Sequence, residues 1–125
     1  MIKLPSGVDI NNLIDDLRKF SWEASETLIY YAQILKDKNN NSNILLSKNN
    51  DDPVTLADLK VNEIIIKRIQ EKYKDVCWEI LSEENVKINP ASFVSESEWI
   101  WILDPLDGTK DFIQGTSNYA MHLSL

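Results

Sequence analysis

A single cysteine, Cys77, and a single histidine, His122, stand in a chain of 125 residues. One thiol excludes an intramolecular disulfide and a thiolate metal cluster. One imidazole disfavours zinc, which draws on nitrogen and sulfur ligands. A chain without disulfides fits a reducing, cytoplasmic compartment. Basic excess is missing too: 13 Lys and Arg against 20 Asp and Glu give a net charge of −7. That excludes the basic face on which a nucleic-acid polymer or an anionic membrane binds. It leaves room for small anionic substrates, because bound divalent cations reverse the local field. The opening "MIKLPSGVDINN" has no apolar core of a secretory signal. No apolar run approaches the roughly 20 residues that cross a bilayer, so membrane insertion is not expected. Internal repeats are absent, and "KDKNNNSN" is the sole low-complexity patch. What is present is an ordinary globular composition, 43% hydrophobic and 26% charged, long enough for one domain with a core.

Periodicity places the elements. From residue 8 to 35, apolar side chains at Ile10, Ile14, Leu17, Phe20, Ala24, Leu28, Tyr31 and Leu35 predict one long amphipathic helix. A polar break over 36–43, a short strand at 44–48 and a turn at 49–53 follow. From Thr55 the pattern Leu59, Ile65 or Ile66, Ile69, Tyr73 predicts a second helix. "VCWEIL" (76–81) and "WIWIL" (99–103) read as strands, the latter fully buried, with an irregular loop over 86–98 between them. Residues 109–114 suggest one short helical turn and 118–125 a last strand. The chain stops inside that apolar strand pattern, which needs neighbours. Residues 1–125 are therefore expected to be the N-terminal part of a longer domain, and this piece alone is expected to self-associate.

Carboxylates stand beside these elements: Asp58 in the second helix, Glu83-Glu84 after one strand, Asp104 and Asp107 after the next. Clustered carboxylates repel, and a cleft that gathers them usually needs a cation. Oxygen donors alone suit a hard ion such as Mg²⁺. In "DPLDGT" (104–109), Pro105 biases Asp104 to extended geometry and fixes the start of a turn. The carbonyl of Leu106 is a third oxygen, Gly108 relaxes the backbone, and Thr109 is positioned to cap a helix that favours a phosphate. Two residues separate the aspartates. Phosphatases with a nucleophilic aspartate have one, so a metal-activated water fits better than an aspartyl-phosphate.

A simple turn also accounts for D-P-L-D-G-T, and Thr55-x-x-Asp58 is a capping box whose role is compatible with Asp58 facing a site. Glu84 reads as a supporting or solvated carboxylate rather than a ligand. Lys48 reads as solvated, like most lone lysines. His122 and Cys77 read as packing or surface residues of strands, and Trp99 and Trp101 as core on one strand face.

Three motifs in order, "DPVTLAD", "SEE" and "DPLDGTKDF", resemble the lithium-sensitive, Mg²⁺-dependent phosphatases of the inositol monophosphatase family. "PVTLAD", "LSEEN" and Lys110-Asp111-Phe112 bring the chain nearest the CysQ-type 3′(2′),5′-bisphosphate nucleotidases. Asp52 departs from the serine more often found there. The resemblance implies a layered α/β sandwich, to which this chain contributes two long helices and the first strands of the main sheet. It implies hydrolysis of a phosphomonoester, the 3′-phosphate of 3′-phosphoadenosine 5′-phosphate, with two or three Mg²⁺ ions per complete site. Glu83, Asp104 and the Leu106 carbonyl would hold one metal; Asp104 and Asp107, with an aspartate beyond residue 125, a second. Asp58 and Thr109 would activate the water. Gly108, Thr109 and Lys110 would contact substrate phosphate, although a lone lysine is usually solvated. Two other readings stand beside this one: an inositol monophosphatase or broad sugar phosphatase, and a truncated metal-binding or interaction domain without catalysis.

Overall fold

The computed structural model describes residues 3–37, 55–90 and 96–125. The expected strand at 44–48, the turn at 49–53, most of the polar break, Lys48 and Asp52 lie outside the described residues.

Helix α1 spans Ile10–Lys36 and starts where the Asp9 carboxylate accepts from the Asn12 amide at 3.0 Å. Its buried stripe is Leu13, Asp16, Phe20, Ala24 and Leu28. The expected stripe is therefore corrected at its first turn: Ile10 and Ile14 are exposed and Leu13 is buried. Apolar residues stand at all three positions, and only the packing partner selects which one turns inward. Helix α2 spans Leu56–Lys72, with Thr55 as its cap. Ala57, Val61, Ile65 and Ile69 recur every four residues and are all fully buried, a single apolar ridge along the helix. Leu59 lies off that ridge, half-buried. The two helices are tied outside the core by Arg68 and Glu23, whose guanidinium and carboxylate meet at 2.9 to 3.0 Å.

Among the described residues three strands follow: β1 (Glu79–Ser82), β2 (Ile100–Asp107) and β3 (Ala120–Ser124), adjacent in that order. β1 runs parallel to β2 and β3 antiparallel to it. One face of β2, carrying Trp101 and Leu103, packs against α2 and completes the core with Leu106 and Phe112. Tyr73, Trp78 and Trp101 stack edge to face at centroid distances of 5.1 and 5.2 Å, closing the core at the end of α2.

Four expectations are corrected. The run from residue 76 becomes a strand only at Glu79, which leaves Cys77 exposed ahead of it. The loop expected over 86–98 opens as helix α3, Glu83–Ile88, because the chain turns helical directly off the strand. The strand at 99–103 is not buried on both faces: Ile102 points away from the helices and is 54% exposed. Finally, β2 does not stop at Leu103 but continues to Asp107, so the acidic motif is part of the sheet. The expected helical turn is present as α4, Thr109–Gln114. No helix among the described residues is long and apolar enough to cross a membrane.

Candidate active site

Parallel pairing brings the two acidic motifs together. Ser82, the last residue of β1, is the register partner of Leu103. One step on, Glu83 follows the end of β1 and Asp104 lies beside it within β2, towards the carboxyl ends of both strands, where open α/β sheets form their crevices. Beyond this point the β2–β3 register shifts. Asp104 faces His122 and Asp107 faces Ala120, so three steps on β2 match two on β3. Pro105 sits in this irregularity, where its missing N–H breaks no ladder bond. The Leu106 amide donates to Asp104 Oδ1 at 3.1 Å, which fixes that carboxylate against its own turn.

Gly108 ends the motif in the left-handed region, φ +82°, and a Cβ there would stand 2.4 Å from the Asn118 carbonyl oxygen. Only glycine fits both demands. The turn then delivers Thr109 to α2. Its Oγ1 lies 3.1 Å from Asp58 Oδ1 and 2.9 Å from the Leu106 carbonyl oxygen. One hydroxyl proton serves one of these acceptors at a time. Thr109 is therefore not the cap expected of it: Gly108 occupies the cap position, and the threonine hydroxyl is committed to Asp58 and Leu106.

Asp58 is almost wholly buried, with 1% exposure. Its Oδ2 accepts from the Thr55 amide at 2.8 Å and from Thr55 Oγ1 at 2.5 Å, while Oδ1 is left for Thr109. The capping box and the site contact thus coexist, one on each carboxylate oxygen. Burial pushes the Asp58 carboxyl above the usual range, and the hydrogen bonds from Thr55 and Thr109 oppose it.

Asp104 is pushed up to about 6 from an ordinary 3.8, first by burial, then by a hydrogen bond to Glu83 and the negative charge of that residue. Two carboxyl groups at hydrogen-bond range share either a proton or a cation. Glu83 is also held by Lys87, whose Nζ lies 2.9 Å from it and 3.4 Å from buried Glu84. Burial raises the Glu84 carboxyl as well, against the pull of Lys87. An acid whose folded-state pKa lies above its unfolded value keeps an extra proton when folded. The stability that Asp104 contributes is therefore present below pH 3.8 and is lost as pH rises to about 6. Wild type is expected to lose stability relative to Asp104→Asn across that window, and added Mg²⁺ is expected to restore it at pH 7 more than at pH 4.5. Urea titrations at several pH values measure both; a stability difference that stays flat with pH contradicts the account.

The structure brings Glu83 beside Asp104, and Asp58 to Thr109 and Leu106. Asp107 and Lys110 are exposed, Asp107 with His122 Nδ1 4.0 Å away. Among the described residues, no three acidic or histidine side chains converge as a ready-made cation cage. The available donors are nonetheless all oxygen, and the Glu83–Asp104 pair has the charge chemistry of a hard-cation site. Sequence reasoning missed the polar support around Glu83. Asn62 and Ser82 are buried and hydrogen-bonded to each other, and Asn62 Nδ2 donates to Asn85 Oδ1 at 3.1 Å. The signal available was Asn62, a polar residue one turn after Asp58 and beside the apolar ridge of α2.

Known proteins are similar to this chain in sequence and in fold. The sequence profile of the inositol monophosphatase family matches residues 11–125. The chain is similar to a 3′(2′),5′-bisphosphate nucleotidase CysQ of Haemophilus influenzae, 36% identical over 80 residues that cover 62% of this chain and 28% of that protein. It is also similar to inositol monophosphatase 1 of Bos taurus, 36% identical over 76 residues, covering 61% of this chain and 26% of the relative. The solved structure of a Thermotoga maritima IMPase matches with a TM-score of 0.65 at 23% identity, over 90% of this chain and 39% of that one. The extragenic suppressor protein suhB from Bartonella henselae gives a TM-score of 0.63 at 22% identity and similar coverage, 90% and 40%. These two likenesses carry the fold, and the chain spans less than half the length of each of these four proteins.

Proposed function

Because this chain belongs to the inositol monophosphatase family, we propose that it forms the N-terminal part of a Mg²⁺-dependent phosphomonoesterase whose substrate is a bisphosphate nucleotide, 3′-phosphoadenosine 5′-phosphate or its sulfated relative. The observation that carries the reading is the Asp58–Thr109 contact, 3.1 Å long, formed across 51 residues of sequence beside the Glu83–Asp104 pair. In this reading Glu83, Asp104, Asp107 and the Leu106 carbonyl would hold the ions. Bound Mg²⁺ supplies Lewis acidity toward the phosphate and lowers the pKa of the attacking water. The residues of the chain do the rest. With its proton directed to Asp58, Thr109 Oγ1 presents a lone pair that orients the water, and the Leu106 carbonyl keeps its own lone pairs for the cation. The ionised Asp58 then accepts proton density through the hydroxyl. Gly108 keeps the backbone tight against Asn118, and Lys110 stands exposed on the first turn of α4, within the segment assigned to substrate phosphate.

CysQ relatives as well as an inositol monophosphatase share the match, so the nucleotide is the finer part of the proposal. Phosphate release from the bisphosphate nucleotide but not from inositol phosphate, by the native polypeptide after its intact mass is taken, is the expected result. The opposite preference moves the substrate to inositol phosphates, and release from neither with Mg²⁺ present defeats the phosphatase reading.

A second reading is favoured by coverage: the chain spans about 26% to 28% of these curated relatives. In this second reading the carboxylates of residues 1–125 act by themselves, and the second metal position would rest on Asp104 and Asp107 alone. Two carboxylates and waters hold Mg²⁺ weakly, and the two-ion clamp on the attacking and leaving oxygens is then incomplete. The 125-residue chain by itself is expected to bind Mg²⁺, to release no measurable phosphate and to self-associate through Ile102 and the open sheet face. Light scattering beside a phosphate-release assay checks this; a clean monomer with vigorous turnover defeats it.

A further inference from the structure

Ser82 is in a position from which serine ordinarily caps a helix. It precedes Glu83, the first residue of α3, in extended geometry, yet makes no side-chain cap bond to that helix. Its hydroxyl donates instead to Asn62 Oδ1. Asn62, 9% exposed on α2, turns its Nδ2 to Asn85 Oδ1 at 3.1 Å. One buried amide thus grips the chain on both sides of Glu83, one residue before it and two after. A capping hydroxyl stabilises a helix start, so diverting the serine makes sense where the position of the corner matters more than the stability of a six-residue helix.

Helix geometry adds the second half. Asn62 lies four residues after Asp58, on the same face of α2 and one turn along. Asp58 fixes Thr109 and Asn62 fixes the corner that carries Glu83. The two halves of the site come from different strands and different helices, and α2 is the element that touches both. The apolar ridge Ala57, Val61, Ile65, Ile69 holds α2 itself against the core. Lys87 also contacts Glu83, at 2.9 Å, but from within α3, so it neutralises charge without setting where α3 starts.

We propose that Asn62 is a positioning residue for the Glu83 ligand, setting the distance between the β1–α3 corner and Asp104 through Ser82 and Asn85. The inference rests on the metal site proposed above. Its chemistry is that of polar groups one step behind a metal ligand, whose loss typically lowers metal affinity by about 10- to 100-fold.

The test is Mg²⁺ calorimetry on the 125-residue chain at a temperature where circular dichroism shows every variant folded. Asn62→Leu keeps the volume and removes both hydrogen bonds; it is expected to weaken Mg²⁺ binding about tenfold. Ser82→Ala, a smaller change, is expected to act in the same direction and serves if the leucine variant does not fold. Ile69→Ala is the control for plain destabilisation: it lies at the far end of α2 and is expected to lower the melting temperature while leaving Mg²⁺ affinity unchanged. Asn62→Leu and Ser82→Ala binding as wild type, or Ile69→Ala weakening Mg²⁺ as much as they do, overturns the positioning role alone. If Asp104→Asn binds Mg²⁺ as wild type does, or wild type binds none, the site reading fails and this inference falls with it.

Discussion

Gly108→Ala is expected to destabilise the chain by about 2–4 kcal/mol, from a left-handed backbone that disfavours a side chain and from overpacking against a neighbour. The second term arises because the added Cβ would stand 2.4 Å from the Asn118 carbonyl oxygen, a backbone atom that cannot rotate away. Either the turn opens or the approach to β3 shifts, and both move Thr109 off Asp58. Gly115 provides the internal comparison. It has nearly the same backbone angle, φ +77° against +82°, but nothing within 4 Å of the position its Cβ would take. Gly115→Ala should therefore cost only the conformational part, about 1 kcal/mol. Urea denaturation of the two variants separates the terms. Equal losses at the two glycines would show that the close approach to Asn118 carries no energy.

Asp104→Asn is expected to weaken Mg²⁺ binding by at least about 100-fold and to abolish phosphate release in the native polypeptide, because an amide is a poor replacement for a carboxylate on a hard cation. The aspartate has three ties that make it central: it follows the β1–β2 register, it lies close enough to Glu83 for that carboxylate to push its own carboxyl up, and its Oδ1 is fixed by the Leu106 amide at 3.1 Å. The variant is not expected to unfold the chain. Removing a carboxyl whose pKa is raised to about 6 relieves repulsion at neutral pH, so the variant should be at least as stable there as wild type without added metal. Loss of Mg²⁺ binding together with retained stability is therefore the expected pair of results. Near-normal binding would sink the assignment of Asp104 as a shared ligand; collapse of the fold would show that its charge is needed for structure.

Much of this was legible in the sequence, and for identifiable reasons. Apolar spacing of three and four residues has few solutions other than a helix, so α1 and α2 could be read directly. Their faces were less certain, since Ile10, Leu13 and Ile14 are all apolar and only contact with a neighbour decides which is buried. The carboxylates Asp58, Glu83, Asp104 and Asp107 stood out because charge beside apolar elements is costly, and Gly108, whose φ is positive, stands at the turn that was expected there.

What only the tertiary structure decided is proximity across long stretches of chain. The parallel register that sets Glu83 beside Asp104, and the 51-residue span closed by Asp58 and Thr109, depend on which strand pairs with which. Local pattern carries no such information, because strand pairing is an interaction between segments and not a property of either one. The same holds for Asn62: as a lone polar residue in a helix it reads as solvated, and it becomes a brace only once β1 brings Ser82 to it and α3 brings Asn85. Residue type and spacing fixed the chemistry available to this chain; sheet register and the docking of α2 determined which of those groups meet.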